Sequence, residues 1–294
     1  MKSRPVKSRP VDFGISYSTP HFGVDPDRIM RFARDAEDCG FESLYLPEHV
    51  ALYPGAKIGP MELPSSLPYA DPLECLSFVA AGTRRILLGT GVLLLPYHQP
   101  VLLAKRLATI DVLSGGRMRL LTVGVGALPG EARAAGVGFA TRGRRANEAI
   151  DVLRLLWAGG EDGVDFAGEF FAFEGVCSFP KPVGLGALPI HVGGSSDAAA
   201  RRAGRRGDGY FPGGLLTPEE RRRQFELART TAAEAGRDPD ALQYTRWGSL
   251  DLSEEDVEAL AEQGVSRIVV SPTTADPARQ HDEMAAFAER FGLT

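Results

Sequence analysis

Short, continuous apolar runs alternate along this chain with longer stretches in which apolar residues recur at helical spacing. The runs Val11–Tyr17, Phe41–Leu46, Ile86–Val92, Met118–Val125, Leu188–Val192, Asp208–Phe211, Gln243–Gly248 and Arg267–Val270 predict strands. They are bulky on both faces, as strands of a parallel sheet buried between helices must be. Between them lie helix patterns: Ile29, Phe32, Ala33 and Ala36 ahead of Gly40; Leu73, Leu76, Val79 and Ala80; and Leu103, Leu107 and Ile110 within Pro100–Leu113. Further helices are predicted over Arg144–Leu156, Ser195–Arg206, Pro218–Ala235, Glu254–Gln263 and Asp276–Phe291. Asp25-Pro26, Asp71-Pro72 and Asp276-Pro277 each read as an N-cap followed by proline at the first helical position.

Eight such strand–helix units in 294 residues predict an α/β fold, a single (β/α)8 TIM barrel, with an open doubly wound sheet as the competing arrangement. Two stretches break the rhythm. Ala51–Ala70, rich in Pro and Gly, reads as a lid loop after the second strand. Asp162–Lys181, with Phe166, Phe170, Phe171 and Phe173 around Gly168, reads as a β-hairpin inserted before the fifth strand. Residues 1–10 carry a tandem Lys-Ser-Arg-Pro-Val repeat with no apolar segment behind it, and are read as a disordered tail ahead of one domain over 11–294.

Composition narrows the chemistry. The chain is 44% hydrophobic and 24% charged, ordinary for a globular protein, and its net charge of −5 argues against nucleic-acid or anionic-membrane partners. The most apolar run, Ile86–Pro96, is interrupted by Gly89, Thr90 and Gly91, so no membrane span is expected. Cys39, Cys75 and Cys177 share no metal- or disulfide-type spacing and read as reduced thiols of a cytoplasmic protein. A small-molecule substrate is expected, and a homodimer is the assembly left open.

In a barrel the chemistry sits where strands end and βα loops begin. Those positions hold Tyr17–His21, Glu48-His49, Gly89–Val92 with His98, Gly124–Gly126, Gly193–Ser196, Pro212–Gly214, Arg246-Trp247 and Ser271. Four of the five histidines, His21, His49, His98 and His191, fall in or near this set. Glu48-His49 places a carboxylate beside an imidazole, suited to acid–base work or to a barrel-mouth ion pair. Ile190-His191-Val192-Gly193-Gly194-Ser195-Ser196 runs a strand into two glycines and two hydroxyls at a helix N-terminus, which reads as a phosphate site or as a plain helix cap. Gly124 to Gly130 has GxGxxxG spacing, one residue longer than a dinucleotide fingerprint, with Pro129 where the helix of that fold would begin. Of the arginines, Arg142 is expected nearest the mouth, just ahead of its helix. No HExxH, GxSxG, P-loop or clustered metal-ligand spacing occurs, so no metal site is expected.

Several of these stretches together resemble the luciferase-like monooxygenase superfamily, the bacterial-luciferase-type barrels that use reduced flavin or deazaflavin. They are Leu88-Gly89-Thr90-Gly91-Val92-Leu93-Leu94-Leu95-Pro96 with His98 and Pro100, Ala108-Thr109-Ile110-Asp111-Val112-Leu113-Ser114-Gly115-Gly116-Arg117, Gly124-Val125-Gly126, Pro189 to Ser195 and Gly207-Asp208-Gly209-Tyr210. Leu46-Pro47-Glu48-His49-Val50 and Ser178-Phe179-Pro180-Lys181-Pro182 look most like actinobacterial coenzyme F420 oxidoreductases. The resemblance implies that Glu48 and His49 lie beside the flavin-type ring as catalytic residues, Glu48 setting the tautomer of His49. It also implies a bulge at Gly91-Val92, often with a non-proline cis peptide, backing the ring. Gly126, Arg142, Gly193, Gly194, Ser195 and Ser196 are then the further cofactor-binding candidates. Ala127 stands where some deazaflavin dehydrogenases carry an acid, and Trp247 to Glu254 leaves no room for the long insertion of the sulfonate and aldehyde monooxygenases. Since oxygen insertion requires a space sealed from water, the expectation is hydride transfer with coenzyme F420. The alternatives are a reduced-FMN-dependent monooxygenase and a non-catalytic carrier.

Overall fold

A computed structural model describes residues 11–184, 186–214 and 216–294. The tail reading, and the tandem repeat with it, lie outside those residues. Eight parallel strands close into a barrel: β1 (Asp12–Ser16), β2 (Ser43–Leu46), β3 (Leu87–Leu94), β4 (Met118–Gly124), β5 (Ile190–Gly193), β6 (Gly209–Phe211), β7 (Gln243–Trp247) and β8 (Arg267–Val270). Pairing of Asp12 with Arg267 on one side and of Gly14 with Ser43 on the other closes the ring through β1. Eight helices surround it: α1 (Pro26–Asp38), α2 (Pro72–Gly82), α3 (Pro100–Leu113), α4 (Arg142–Ala158), α5 (Asp197–Arg206), α6 (Pro218–Glu234), α7 (Glu254–Glu262) and α8 (Pro277–Phe291). This is a TIM barrel, as the strand–helix rhythm predicts.

The helix starts follow the predicted chemistry. Asp25, Asp71 and Asp276 each accept backbone N–H groups of the first turn, with proline next in line. Strand alternation then decides what fills the barrel. Outward residues such as Leu44, Leu121, Val192 and Ile268 join the main core beneath the helices. Tyr45, Leu120, Phe211 and Val269 pack as a separate cluster inside, with Trp247 beside them.

Some boundaries differ from expectation. The third strand continues past Val92 to Leu94, with a register break between Gly91 and Leu93 and a cis peptide at Gly91–Val92. The fifth strand begins at Ile190 and runs through Gly193, so the glycine belongs to the sheet, not to the turn. The fourth helix begins at Arg142, which is therefore inside it, and the fifth begins at Asp197. A short helix, Pro129–Ala134, follows β4; Pro129, set against a helix start in the sequence, occupies the first position, where its missing N–H costs nothing.

The two irregular stretches hold two small antiparallel hairpins. Within 51–70, Lys57–Ile58 pairs with Met61–Glu62, and Ala56, Leu63 and Leu128 form a small core of their own. Val164–Ala167 pairs with Ala172–Val176, and Glu148 of α4 anchors this hairpin by accepting the N–H groups of Glu169, Phe170 and Phe171. No helix among the described residues is long and apolar enough to cross a membrane.

Candidate active site at the barrel mouth

Pro47 ends β2 and delivers Glu48 and His49 to the C-terminal end of the barrel. The two do not pair with each other. Glu48, buried, turns toward the third unit, where it accepts the Leu94 N–H and lies 2.9 Å from Nε2 of His98. His49 turns toward the fourth unit, where its Nδ1 lies 3.1 Å from Oε2 and 3.2 Å from Oε1 of Glu131. The expectation that Glu48 sets the tautomer of His49 is thus corrected, because adjacent residues leaving a strand face different ways. Two carboxylate–imidazole pairs stand at the mouth: one joins the neighbouring loops after β2 and β3, the other reaches from the loop after β2 to the one after β4.

Glu131 comes from the short helix after β4 and is wholly buried. Its Oε1 also accepts the Val50 N–H at 2.7 Å and the Ala51 N–H at 3.3 Å. The ring of Tyr69, from the end of the lid segment, meets His49 edge-on at 4.7 Å. Burial and the Glu131 carboxylate both raise the Tyr69 phenol above its ordinary value. The same two causes, in that order, push Tyr97 up to about 12, and its hydroxyl has no hydrogen-bond partner.

These groups border a cleft of roughly 630 Å³ lined by Glu48, His49, Tyr69, Val92, Arg142 and Ser195, among others. Its floor is built around Val92. A Cβ on Gly124 would stand 2.6 Å, and one on Gly193 2.5 Å, from the Val92 methyls. A side chain at either position would displace Val92, so both glycines make room for it. Gly194, at φ +124, is the residue that needs left-handed freedom in the turn.

Ser195 and Ser196 part company. Ser196 is the N-cap of α5, its Oγ accepting the Ala199 N–H at 3.2 Å. Ser195 lies exposed on the cleft wall. The turn is held from behind: Tyr210 Oη lies 2.9 Å from the Gly194 carbonyl, and Gln224 Nε2 donates to the Ser195 carbonyl at 2.8 Å. With its carbonyls engaged at the rear, the N-terminal end of α5 presents its positive dipole end to the cleft. Arg142 lines the same side, its Nε donating to the Gly126 carbonyl at 3.0 Å while its guanidinium stacks on Phe139. Arg202 behind it is pulled below its ordinary value by burial and by the like charges of Arg206 and Arg142. This end of the cleft is positive.

The structure thus gathers Glu48, His49, Gly91, Val92, Gly126, Arg142, Gly193, Gly194, Ser195 and Ser196 around one cleft. It leaves out three of the four strand-end histidines, of which His98 only partners Glu48. His21 is exposed on the helix after β1. His191 points into the barrel below the mouth, against Gly209, and burial holds its imidazole at about 3, with the Arg267 charge acting the same way. Sequence reasoning missed Glu131 and Tyr69. The only local sign of Glu131 is an acidic residue in the first turn of a short helix; for Tyr69 there is none beyond its place at the end of the lid.

Residues 11–293 match the model of the family described as luciferase-like monooxygenase. An F420-dependent glucose-6-phosphate dehydrogenase of Microbacterium testaceum is 32% identical over 214 residues, 71% of this chain and 59% of that protein. The 4-hydroxyprotoasukamycin monooxygenase of Streptomyces nodosus is 30% identical over 261 residues, covering 85% and 67%. Among solved structures, an F420-dependent secondary alcohol dehydrogenase in complex with an F420-acetone adduct superposes with a TM-score of 0.79 at 17% identity, covering 96% of this chain and 98% of that one. The chain belongs to the luciferase-like monooxygenase family, whose F420- and flavin-dependent members are oxidoreductases.

Proposed function

We propose that this protein is a coenzyme F420-dependent oxidoreductase that moves a hydride between the deazaflavin and a small organic substrate in the barrel mouth. The observation that carries the reading is the division of the cleft. An imidazole fixed by a buried carboxylate stands at one end, and an anion-binding turn backed by arginines stands at the other. The residues present fit a phosphate-bearing, flavin-type cofactor. Gly193 at the strand end, the Gly194–Ser196 turn, the start of α5 and Arg142 offer N–H, hydroxyl and guanidinium donors to its phosphate. Gly91 and Val92 form the wall that would back its ring.

When bound, a deazaflavin supplies a two-electron hydride carrier that reacts poorly with oxygen. His49 orients the reacting groups or moves a proton at Nε2, the ring nitrogen left free by Glu131. Glu48 holds His98 and the β3 end instead of His49. The shortness of the 248–253 link between β7 and α7 favours chemistry that tolerates an open mouth. The open cleft beside His49 favours an enzyme over a carrier.

Titrating the apo protein in parallel with coenzyme F420 and FMN tests the cofactor. Micromolar binding of FMN with none of coenzyme F420 would reverse the assignment. His49→Ala should lower turnover by roughly 10²–10⁴, with cofactor affinity little changed. A second reading, a reduced-FMN-dependent monooxygenase, is favoured by the monooxygenase relative at 30% identity. Activity that requires oxygen and places a labelled oxygen atom in the product would establish it.

A further inference from the structure

We infer that Glu131 is a positioning residue, which confines the neutral His49 ring to the Nδ1–H tautomer and leaves Nε2 bare toward the cleft. The inference rests on the reading of His49 as the acid–base group, but its test stands apart from turnover.

Three observations carry it. Glu131 is wholly buried, and both its oxygens lie within hydrogen-bonding distance of His49 Nδ1. It also accepts from the Val50 and Ala51 N–H groups. An ionised carboxylate can only accept, and three donors converging on Glu131 favour that form, so the ring meets it with a proton on Nδ1. A bare Nδ1 would set its lone pair against the carboxylate's at that distance. Tyr69, edge-on to the ring, restrains its tilt from the other side.

The support is shared with the lid. Val50 and Ala51 lead into the 51–70 segment, Gly130 donates to the Tyr53 hydroxyl, and Leu128 packs on Ala56 and Leu63. The short helix carrying Glu131 therefore fixes the lid and the imidazole through one set of contacts. A purely structural role for Glu131 would secure the lid and leave the tautomer indifferent.

The experiment is ring nitrogen NMR on the full chain with ¹⁵N-histidine, taken at rising pH until the ring shifts no longer change and the ring is neutral. The His49 resonance is assigned by its disappearance in His49→Asn. The wild type should show Nδ1 protonated and Nε2 bare. In Glu131→Gln the side-chain oxygen still accepts from Val50, but the amide donates to the ring and should switch it to Nε2–H. Glu131→Asp, which keeps a carboxylate, should restore the Nδ1–H form in part. If turnover is His49-dependent, Glu131→Gln should lower kcat by about 10²–10⁴, with coenzyme F420 affinity within about twofold of wild type. A wild-type ring in the Nε2–H form overturns the inference, even if Glu131→Gln fails to fold. So does a tautomer unmoved by Glu131→Gln. An unchanged rate in His49→Ala overturns instead the acid–base reading, whatever the tautomer proves to be.

Discussion

The two ends of the barrel use the same residue types for opposite purposes. At the N-terminal end, buried charges are saturated by the chain itself. Arg117 donates to the carbonyls of Ala80, Ile86 and Ser114 and to the Thr83 hydroxyl. Glu37 accepts the N–H groups of Arg84, Arg85 and Ile86. Arg267 grips Glu42 with two nitrogens, at 2.6 and 2.7 Å. At the C-terminal end the carboxylates are engaged as fully, but the His49 imidazole is tied through Nδ1 alone and Ser195 faces the cleft. Saturation marks the end that holds the barrel closed; one-sided partnering marks the end that can receive a ligand.

The largest expected effect breaks the stability end. Arg117 ends one of the stretches that carry the family resemblance, yet it lines no part of the cleft and closes the loop between α2 and β3. Arg117→Ala strands several buried carbonyls at once and should cost about 3–5 kcal/mol. In a domain of this size that lowers the melting temperature by roughly 6–15 °C. Turnover per folded molecule should stay near wild type. A large loss of turnover with an unchanged melting temperature would erase the division between the two ends.

This contrast also explains what the sequence could and could not reveal. The eight units were legible because Asp-Pro caps and two-sided apolar strands are local signals. Glu48 and His49 were correctly placed at the mouth, but adjacency in sequence suggested a pair that the diverging side chains forbid. The partner of His49 is 82 residues away, on a helix too short to show periodicity. His191 was grouped with the mouth because it lies near a strand end. Its inward side chain sits one layer down because β5 continues past it through Gly193.

A smaller effect comes from His191, the group that most blurs the division. It is buried inside the barrel with its pKa lowered to about 3 and Nδ1 unpartnered. Between about pH 3 and the ordinary imidazole value, the unfolded chain binds a proton that the folded chain refuses. Stability therefore rises with pH across that window, by about 1.4 kcal/mol per unit for this one group, and is lost as the solution is acidified. Denaturant unfolding at pH 5.0 and 6.0 should show that slope, and His191→Gln should flatten it by about that amount. An identical slope in the variant would mean that water reaches the ring.

The smallest effect separates two neighbouring hydroxyls, and it sharpens the comparison at a single helix end. Ser196 Oγ is already engaged with the Ala199 N–H, so it belongs to the stability side although it lines the cleft. Ser196→Ala should cost about 1 kcal/mol of folding stability, as lost N-caps do, and should scarcely alter cofactor affinity. Ser195 leaves its hydroxyl facing the cleft while Gln224 holds its carbonyl from behind. Ser195→Ala should leave the melting temperature unchanged and weaken cofactor binding by up to about tenfold, the scale of one hydrogen bond to a charged phosphate. Thermal melts and cofactor titrations on the two single variants read both quantities. If the affinity loss falls on Ser196 and the stability loss on Ser195, the helix cap and the phosphate donor have been assigned the wrong way round. No affinity loss in either would mean that the turn binds through its backbone N–H groups, with neither hydroxyl in direct contact.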